Sequence, residues 1–273
     1  MAPVSGTDPD LTRKERREQA RTERKAVEAA AAEQARRRRL YQLVGVIGVV
    51  AVIIIVIVLA TGGGKKEGLA TSRHEINANV TTVTSLVGGI PESGNVLGNP
   101  NAPVTMQYFG DLECPVCKAF TLGALPSLIK KYVRTGKLKI EYHSMQTATR
   151  EPETFHLQQI AALAAGKQNR GWYYIELFYH EQGQEATGYV TESYLQGLAQ
   201  QVPGLNLANW SAARNDPTLA EELTRDSQAV TQHGFTGTPS FLLGKSGGHM
   251  ERFEATSFEE PGSYEAAINK LLS

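Results

Sequence analysis

Residues 40–60 (LYQLVGVIGVVAVIIIVIVLA) form a run of 21 residues without one charged side chain. As a helix such a run rises about 30 Å, the thickness of a bilayer's hydrocarbon core. Arg36, Arg37, Arg38 and Arg39 directly precede it, whereas Lys65 and Lys66 follow only after Gly62, Gly63 and Gly64. Basic residues stay on the cytoplasmic side of a span. The sequence therefore predicts a cytoplasmic basic segment at 1–39, a single transmembrane helix at 40–60 in the cell membrane, and an extracytoplasmic remainder. Two other readings compete. A buried core helix is disfavoured by the length of the uncharged run. A cleaved export signal ending at Val58-Leu59-Ala60 is disfavoured by the long region before it.

The formal net charge is zero, but it is unevenly spread. Residues 1–39 carry eleven Lys and Arg against seven Asp and Glu, a net +4, and residues 61–273 carry seventeen against twenty-one, a net −4. Arginines beside an apolar run read as topogenic charge rather than as a nucleic-acid surface. Residues 61–95 read as a linker, Gly-rich at both ends with a β-prone run at 80–87, leaving 96–273 as the globular domain.

Within that domain 104–110 (VTMQYFG) is β-branched and aromatic, with turn residues before it. A helix is expected over 115–134, stopping at Gly136, and a strand at 137–145. Helices are expected around 157–165, 172–180, 192–201 and 218–233. A β-hairpin follows at 240–243 and 249–253, and a closing helix at 263–272 with Ser263 as its cap. Strand, helix and strand, then a helical block at about 150–233, then two strands and a helix make an α/β domain with a helical insertion. Trp172, Tyr173, Tyr174, Phe178 and Tyr179 recur at helical spacing and read as core. The six histidines show no metal-ligand spacing; His143 ends a predicted strand. Asn79-Val80-Thr81 and Asn209-Trp210-Ser211 fit a glycosylation pattern too short to be specific.

Two cysteines occur in 273 residues, three positions apart, in Cys114-Pro115-Val116-Cys117. A disulfide scaffold needs more of them, and structural zinc needs further ligands at regular spacing. Haem attachment needs a histidine where Lys118 stands. What fits is a redox pair at a strand–helix junction. With Cys114 as N-cap, Pro115 occupies the first helical position, and the N–H groups of Val116 and Cys117 point at the Cys114 sulfur. A thiolate there gains those hydrogen bonds and the helix dipole. Lowering a thiol pKa from about 8.5 to below 7 takes roughly 2 kcal/mol of preference for the anion. Cys117, one turn further in, would be the resolving thiol. Asp111 and Glu113 would raise the Cys114 pKa and temper its oxidising power. No cofactor beyond the Cys114–Cys117 disulfide is called for.

Gly89-Ile90-Pro91, Leu97-Gly98-Asn99, Ala102-Pro103-Val104 and Phe109-Gly110-Asp111, followed by the CPVC motif, resemble the DsbA-like thioredoxin-fold oxidoreductases, in their membrane-anchored bacterial form. Gly234-Phe235-Thr236-Gly237-Thr238-Pro239-Ser240-Phe241 resembles that family's cis-proline segment. Ala161-Ala162, Gly171-Trp172 and Leu177-Phe178 resemble its helical insertion. The likeness implies that Pro239 is cis and faces the cysteine pair, and that Pro115, Val116, Thr238 and Pro239 line the substrate site. It also implies exported cysteine-containing proteins as substrates and a quinone-linked membrane partner that reoxidises the pair. Thioredoxin's own buried Asp would fall at Tyr108, which argues against a thioredoxin-like reductase. The expected function is oxidation of dithiols in exported proteins. A reductase or isomerase, and a non-catalytic membrane-anchored binding module, are the alternatives.

Overall fold

The computed structural model describes residues 68–273. The expected basic segment and membrane span lie outside them, and no helix among the described residues is long and apolar enough to cross a membrane.

The first element corrects the sequence reading. Helix α1 (Arg73–Val87) occupies the stretch expected to be a linker with a β-prone run. Ser72 caps it, accepting a hydrogen bond from the Glu75 N–H while its hydroxyl donates to the Glu75 carboxylate at 2.8 Å. The apolar residues fall at Val83, Leu86 and Val87, one face of a helix, and all three are buried. That packing overrides the β-preference of Val80, Thr81, Thr82 and Thr84. Short strands β1 (Glu92–Ser93) and β2 (Val96–Leu97) follow, also inside the presumed linker region or at its edge.

Strand β3 (Val104–Gly110) leads into helix α2 (Pro115–Leu122), then α3 (Leu125–Leu128), which runs into a π-helical turn at Ile129–Val133. The single helix expected over 115–134 is therefore broken. At Gly123 a Cβ would lie 2.6 Å from the Ala119 carbonyl oxygen and 2.7 Å from the Glu259 Cα, so another chain segment passes where a helix would place a side chain. Gly136, with φ of +71°, ends this stretch as expected. Strand β4 (Leu138–Ser144) pairs in parallel with β3, the pairing that a helical crossover permits.

The insertion holds α4 (Pro152–Gly166), α5 (Gly171–His180), α6 (Glu192–Gln201), α7 (Leu207–Ala213) and α8 (Pro217–His233). All but α7 were expected. The chain then returns as β5 (Ser240–Lys245), β6 (Met250–Phe253) and α9 (Gly262–Leu272). Helix α9 begins after Pro261, and Ser263, its expected cap, accepts instead from the Thr256 N–H at 3.3 Å.

The strand order is β1-β2-β4-β3-β5-β6, with β3 central, antiparallel to β5. One face of the sheet carries Met106, Tyr108, Ile140, Tyr142, Phe241 and Leu243, packed with Phe120, Tyr264 and Ile268 in the main core. The other carries a smaller cluster of Phe109, Met145, Phe235 and Leu242. Trp172, Tyr174, Phe178 and Tyr179 are buried to 0% exposure, so the aromatic run is core as expected, with Tyr173 half-buried against it. This architecture places the ends of β3 and β4 and the start of β5 at one end of the sheet.

Candidate active site

Gly110 ends β3, and four residues later Cys114 caps α2 in extended conformation (φ −73°, ψ 120°) with Pro115 at the helix start. The Cys117 N–H donates to Cys114 Sγ at 3.4 Å. This is the arrangement read from the motif. Cys114 is 5% exposed and Cys117 is fully buried, and both are free thiols. Val116, 37% exposed, stands at the mouth. Opposite, the Thr238–Pro239 peptide is cis, and the Cys114 thiol donates to the Thr238 carbonyl at 3.5 Å.

The two sulfurs sit in different fields. A hydrogen bond from the Cys117 side chain lowers the Cys114 pKa most. Burial opposes it, and the Thr238 side chain and the N–H groups of Cys117 and Val116 lower it further, to about 7. Cys117 is pushed well above the ordinary thiol range, first by burial and then by the hydrogen bond and charge of Cys114. At neutral pH one sulfur is therefore about half ionised, whereas the other keeps its proton.

Beneath Cys117 lies a floor of tyrosines. Tyr108 donates to the Tyr179 hydroxyl at 3.0 Å, and Tyr179 donates to the Asp111 carbonyl at 3.1 Å. Tyr142 donates to the Gly110 carbonyl at 3.1 Å. Burial pushes all three phenols well up, so they stay neutral. Tyr108 thus puts an uncharged hydroxyl where an acid would compete with a thiolate.

Asp111 and Glu113 were expected to act on the thiol, and the structure gives them other surroundings. The Asp111 carboxylate is fully buried and accepts from the Glu113 N–H (3.0 Å), the Thr147 N–H (2.8 Å), the Thr149 N–H and hydroxyl (2.9 and 2.5 Å) and Gln158 Nε2 (3.4 Å). It ties the loop before Cys114 to the loop after β4. Glu113 is 4% exposed; burial raises its pKa, a Thr149 hydrogen bond lowers it, and Asp111 and Glu185 raise it further. Gln182, just past α5, donates to the carbonyls of Leu112 (2.6 Å) and Cys114 (3.1 Å), so the insertion clamps the same loop. No local pattern marks Thr147, Thr149, Gln158 or Gln182, because each reaches the site through tertiary contact. His143 lies away from the cysteines. Its ring stacks on Phe109 and its Nδ1 lies 2.7 Å from Asp226 Oδ1, on the second face of the sheet. No cluster of three or more metal-ligating side chains occurs among the described residues.

Residues 92–257, more than half of the chain, match the family described as Thioredoxin. The chain belongs to the thioredoxin family. Among related proteins, the probable disulfide bond formation protein D of Bacillus cereus is 24% identical over 150 residues, covering 54% of this chain and 68% of that protein. The Bacillus anthracis protein of the same description is 23% identical over 175 residues, covering 60% and 79%. The crystal structure of oxidised BdbD from Bacillus subtilis superposes with a TM-score of 0.56 at 22% identity, covering 68% of this chain and 98% of that one. That likeness extends the thioredoxin fold through the helical insertion. The chemistry open to this pair, one thiol lowered at the helix N-cap and one raised and fully buried, is thiol–disulfide exchange.

Proposed function

We propose that the chain oxidises dithiols of exported proteins, with Cys114 as the reacting sulfur and Cys117 as its partner. The observation that carries this reading is the asymmetry of the pair: Cys114 is lowered to about 7 at a helix N-cap beside the cis-proline, while Cys117 is buried and raised. The names of the Bacillus relatives, disulfide bond formation protein D, point the same way.

In the oxidised form a substrate thiolate attacks Cys114 Sγ, and the Cys114–Cys117 bond breaks as the mixed disulfide forms. Cys117 leaves and takes up a proton, as its raised pKa favours. A second substrate thiolate then attacks the substrate sulfur of the mixed disulfide, closing the substrate disulfide and releasing Cys114 as a thiolate. Two electrons pass from substrate to the pair. Cys114 is the better leaving group because its anion is the stabilised one, and this drives the final step toward oxidised substrate. Pro115 and Val116 flank the attack, and the backbone beside Thr238 and Pro239 is placed to pair with an extended substrate segment. The uncharged run at 40–60 anchors the domain to the membrane outside the cytoplasm, and a quinone-linked membrane partner restores the disulfide.

Equilibration with glutathione is expected to give the pair a potential above about −200 mV. Cys117→Ala, first converted by oxidised glutathione to its Cys114–glutathione disulfide, is expected to exchange with reduced, unfolded substrate, releasing glutathione and accumulating a mixed disulfide between Cys114 and substrate. A potential near that of thioredoxin, about −270 mV, would remove the oxidising direction. Unimpaired refolding activity in Cys114→Ala would remove the chemistry altogether and leave a binding module.

A further inference from the structure

Two loops meet across the mouth of the site. Thr147 lies between β4 and α4, and its N–H is fixed on Asp111 Oδ2 at 2.8 Å. Two residues on, Thr149 binds the same carboxylate through its N–H and its hydroxyl, so the backbone around Thr147 is pinned on both sides. The Thr147 hydroxyl lies 2.5 Å from the Thr238 hydroxyl, across a sequence separation of 91 residues. Thr238 in turn touches Cys114: its carbonyl accepts from the thiol at 3.5 Å, and its side chain favours the ionised sulfur.

A hydroxyl has one hydrogen to give. If Thr238 favours an anionic sulfur through its side chain, it does so by donating that hydrogen to Cys114. It then has none for Thr147 and must accept from it. On that premise Thr147 donates to Thr238 Oγ1 and leaves the Thr238 hydrogen to Cys114, whose sulfur lies 3.5 Å from the Thr238 carbonyl oxygen.

We propose that Thr147, held by Asp111, is a positioning residue for the reacting cysteine, orienting the Thr238 hydroxyl so that its hydrogen serves the sulfur. The inference rests on the reading of Cys114 as the reacting thiol. Donors in series polarise one another, so a hydrogen that Thr238 gives to the sulfur is held more strongly with Thr147 behind it than Thr238 alone would hold it. The same contact joins the loop after β4 to the cis-proline loop, across the place where substrate enters.

The test is the pH profile of Cys114 alkylation by iodoacetamide in the reduced full-length protein, with the labelled peptide identified. Thr147→Val is expected to slow alkylation at pH 6 by about two- to fivefold while leaving the high-pH plateau unchanged, the effect of weakening one hydrogen bond to an ionised group. Thr147→Ser should restore the wild-type profile. Thr238→Val should slow the pH 6 reaction at least as much, and adding Thr147→Val to it should change nothing further, because the relay is already cut. A Thr147→Val profile superimposed on wild type would overturn the proposal, as would an equal effect of Thr147→Val in the Thr238→Val background. Should the valine variant not fold, Thr147→Ala carries the same comparison. A wild-type midpoint like that of free cysteine would instead defeat the reading of Cys114 itself, before Thr147 is at issue.

Discussion

Asp111, in the loop before Cys114, and Glu176, in the middle of α5, are both carboxyl groups with 0% exposure, and their surroundings are opposite. Asp111 is met by N–H and O–H donors from Glu113, Thr147, Thr149 and Gln158. Neither oxygen of Glu176 has a hydrogen-bonding partner among the described residues. Burial alone therefore says little about what a carboxyl does; the donors around it decide. Where they converge, a carboxylate becomes the fixed point of three chain segments and holds the reactive end of the sheet. Where they are missing, the group can only remain a neutral acid, and burial pushes Glu176 up to about 8.

The sharpest break of that contrast is Asp111→Ala. It leaves several buried backbone N–H groups facing nothing, and each such orphan costs about 1–3 kcal/mol. Loss of at least about 3 kcal/mol in urea unfolding is expected, together with loss of thiol–disulfide exchange, since the Cys114 loop and the Thr147 loop come apart. A variant within about 1 kcal/mol of wild type would mean that the donors find other partners and that Asp111 is not the knot described.

Glu176→Leu should move stability the other way, with a pH signature. An acid that ionises near 4.5 in the unfolded chain and at about 8 in the folded one binds its proton more tightly when folded. Its ionisation therefore withdraws stability as pH rises from 4.5 to 8, by about 3 kcal/mol at pH 7. Leucine is similar in volume and removes that loss. The expected result is an unfolding midpoint close to wild type at pH 4.5 and clearly higher at pH 8. Parallel pH curves for the two proteins would show that Glu176 is not the isolated acid seen here.

The same contrast marks what could be read from the sequence. The N-cap role of Cys114 and the hidden position of Cys117 follow from three consecutive positions, so the motif alone carries them. The cis peptide at Pro239 came through the family likeness, since neighbouring residues favour trans. Helix α1 was missed because its β-branched residues outvoted the Ser72-Arg73-His74-Glu75 capping box, a start signal present in the chain. The break at Gly123 depends on the Glu259 backbone, 136 positions away, and no local pattern encodes it. For the same reason Asp111 was expected to be a charge acting on a thiol. Apart from the Glu113 N–H, its donors come from a distant loop and helix, and only the fold brings them to it.

Asp226 stands between the two extremes and gives the smallest of these effects. It has one ion pair, Oδ1 to His143 Nδ1 at 2.7 Å, and one backbone donor, the Ser144 N–H to Oδ2 at 2.7 Å. Burial works against a charge on His143, but the hydrogen bonds and charges of Asp226 and Glu141 outweigh it and hold the imidazole pKa up to about 9. A histidine whose folded pKa exceeds its unfolded value of 6.5 contributes stability that is complete below 6.5 and fades as pH climbs to 9. Asp226→Asn keeps an acceptor for Ser144 but removes the charge facing the ring. It should cost about 2 kcal/mol at pH 6 and progressively less toward pH 9, because the wild-type protein loses the same contribution by deprotonation. The pair lies on the second face of the sheet, so the alkylation profile of Cys114 should stay where it was. A penalty equal at pH 6 and pH 9 would show that Asp226 works through its hydrogen bond to Ser144 alone, as Asp111 does through its donors, and that the charge on His143 contributes nothing.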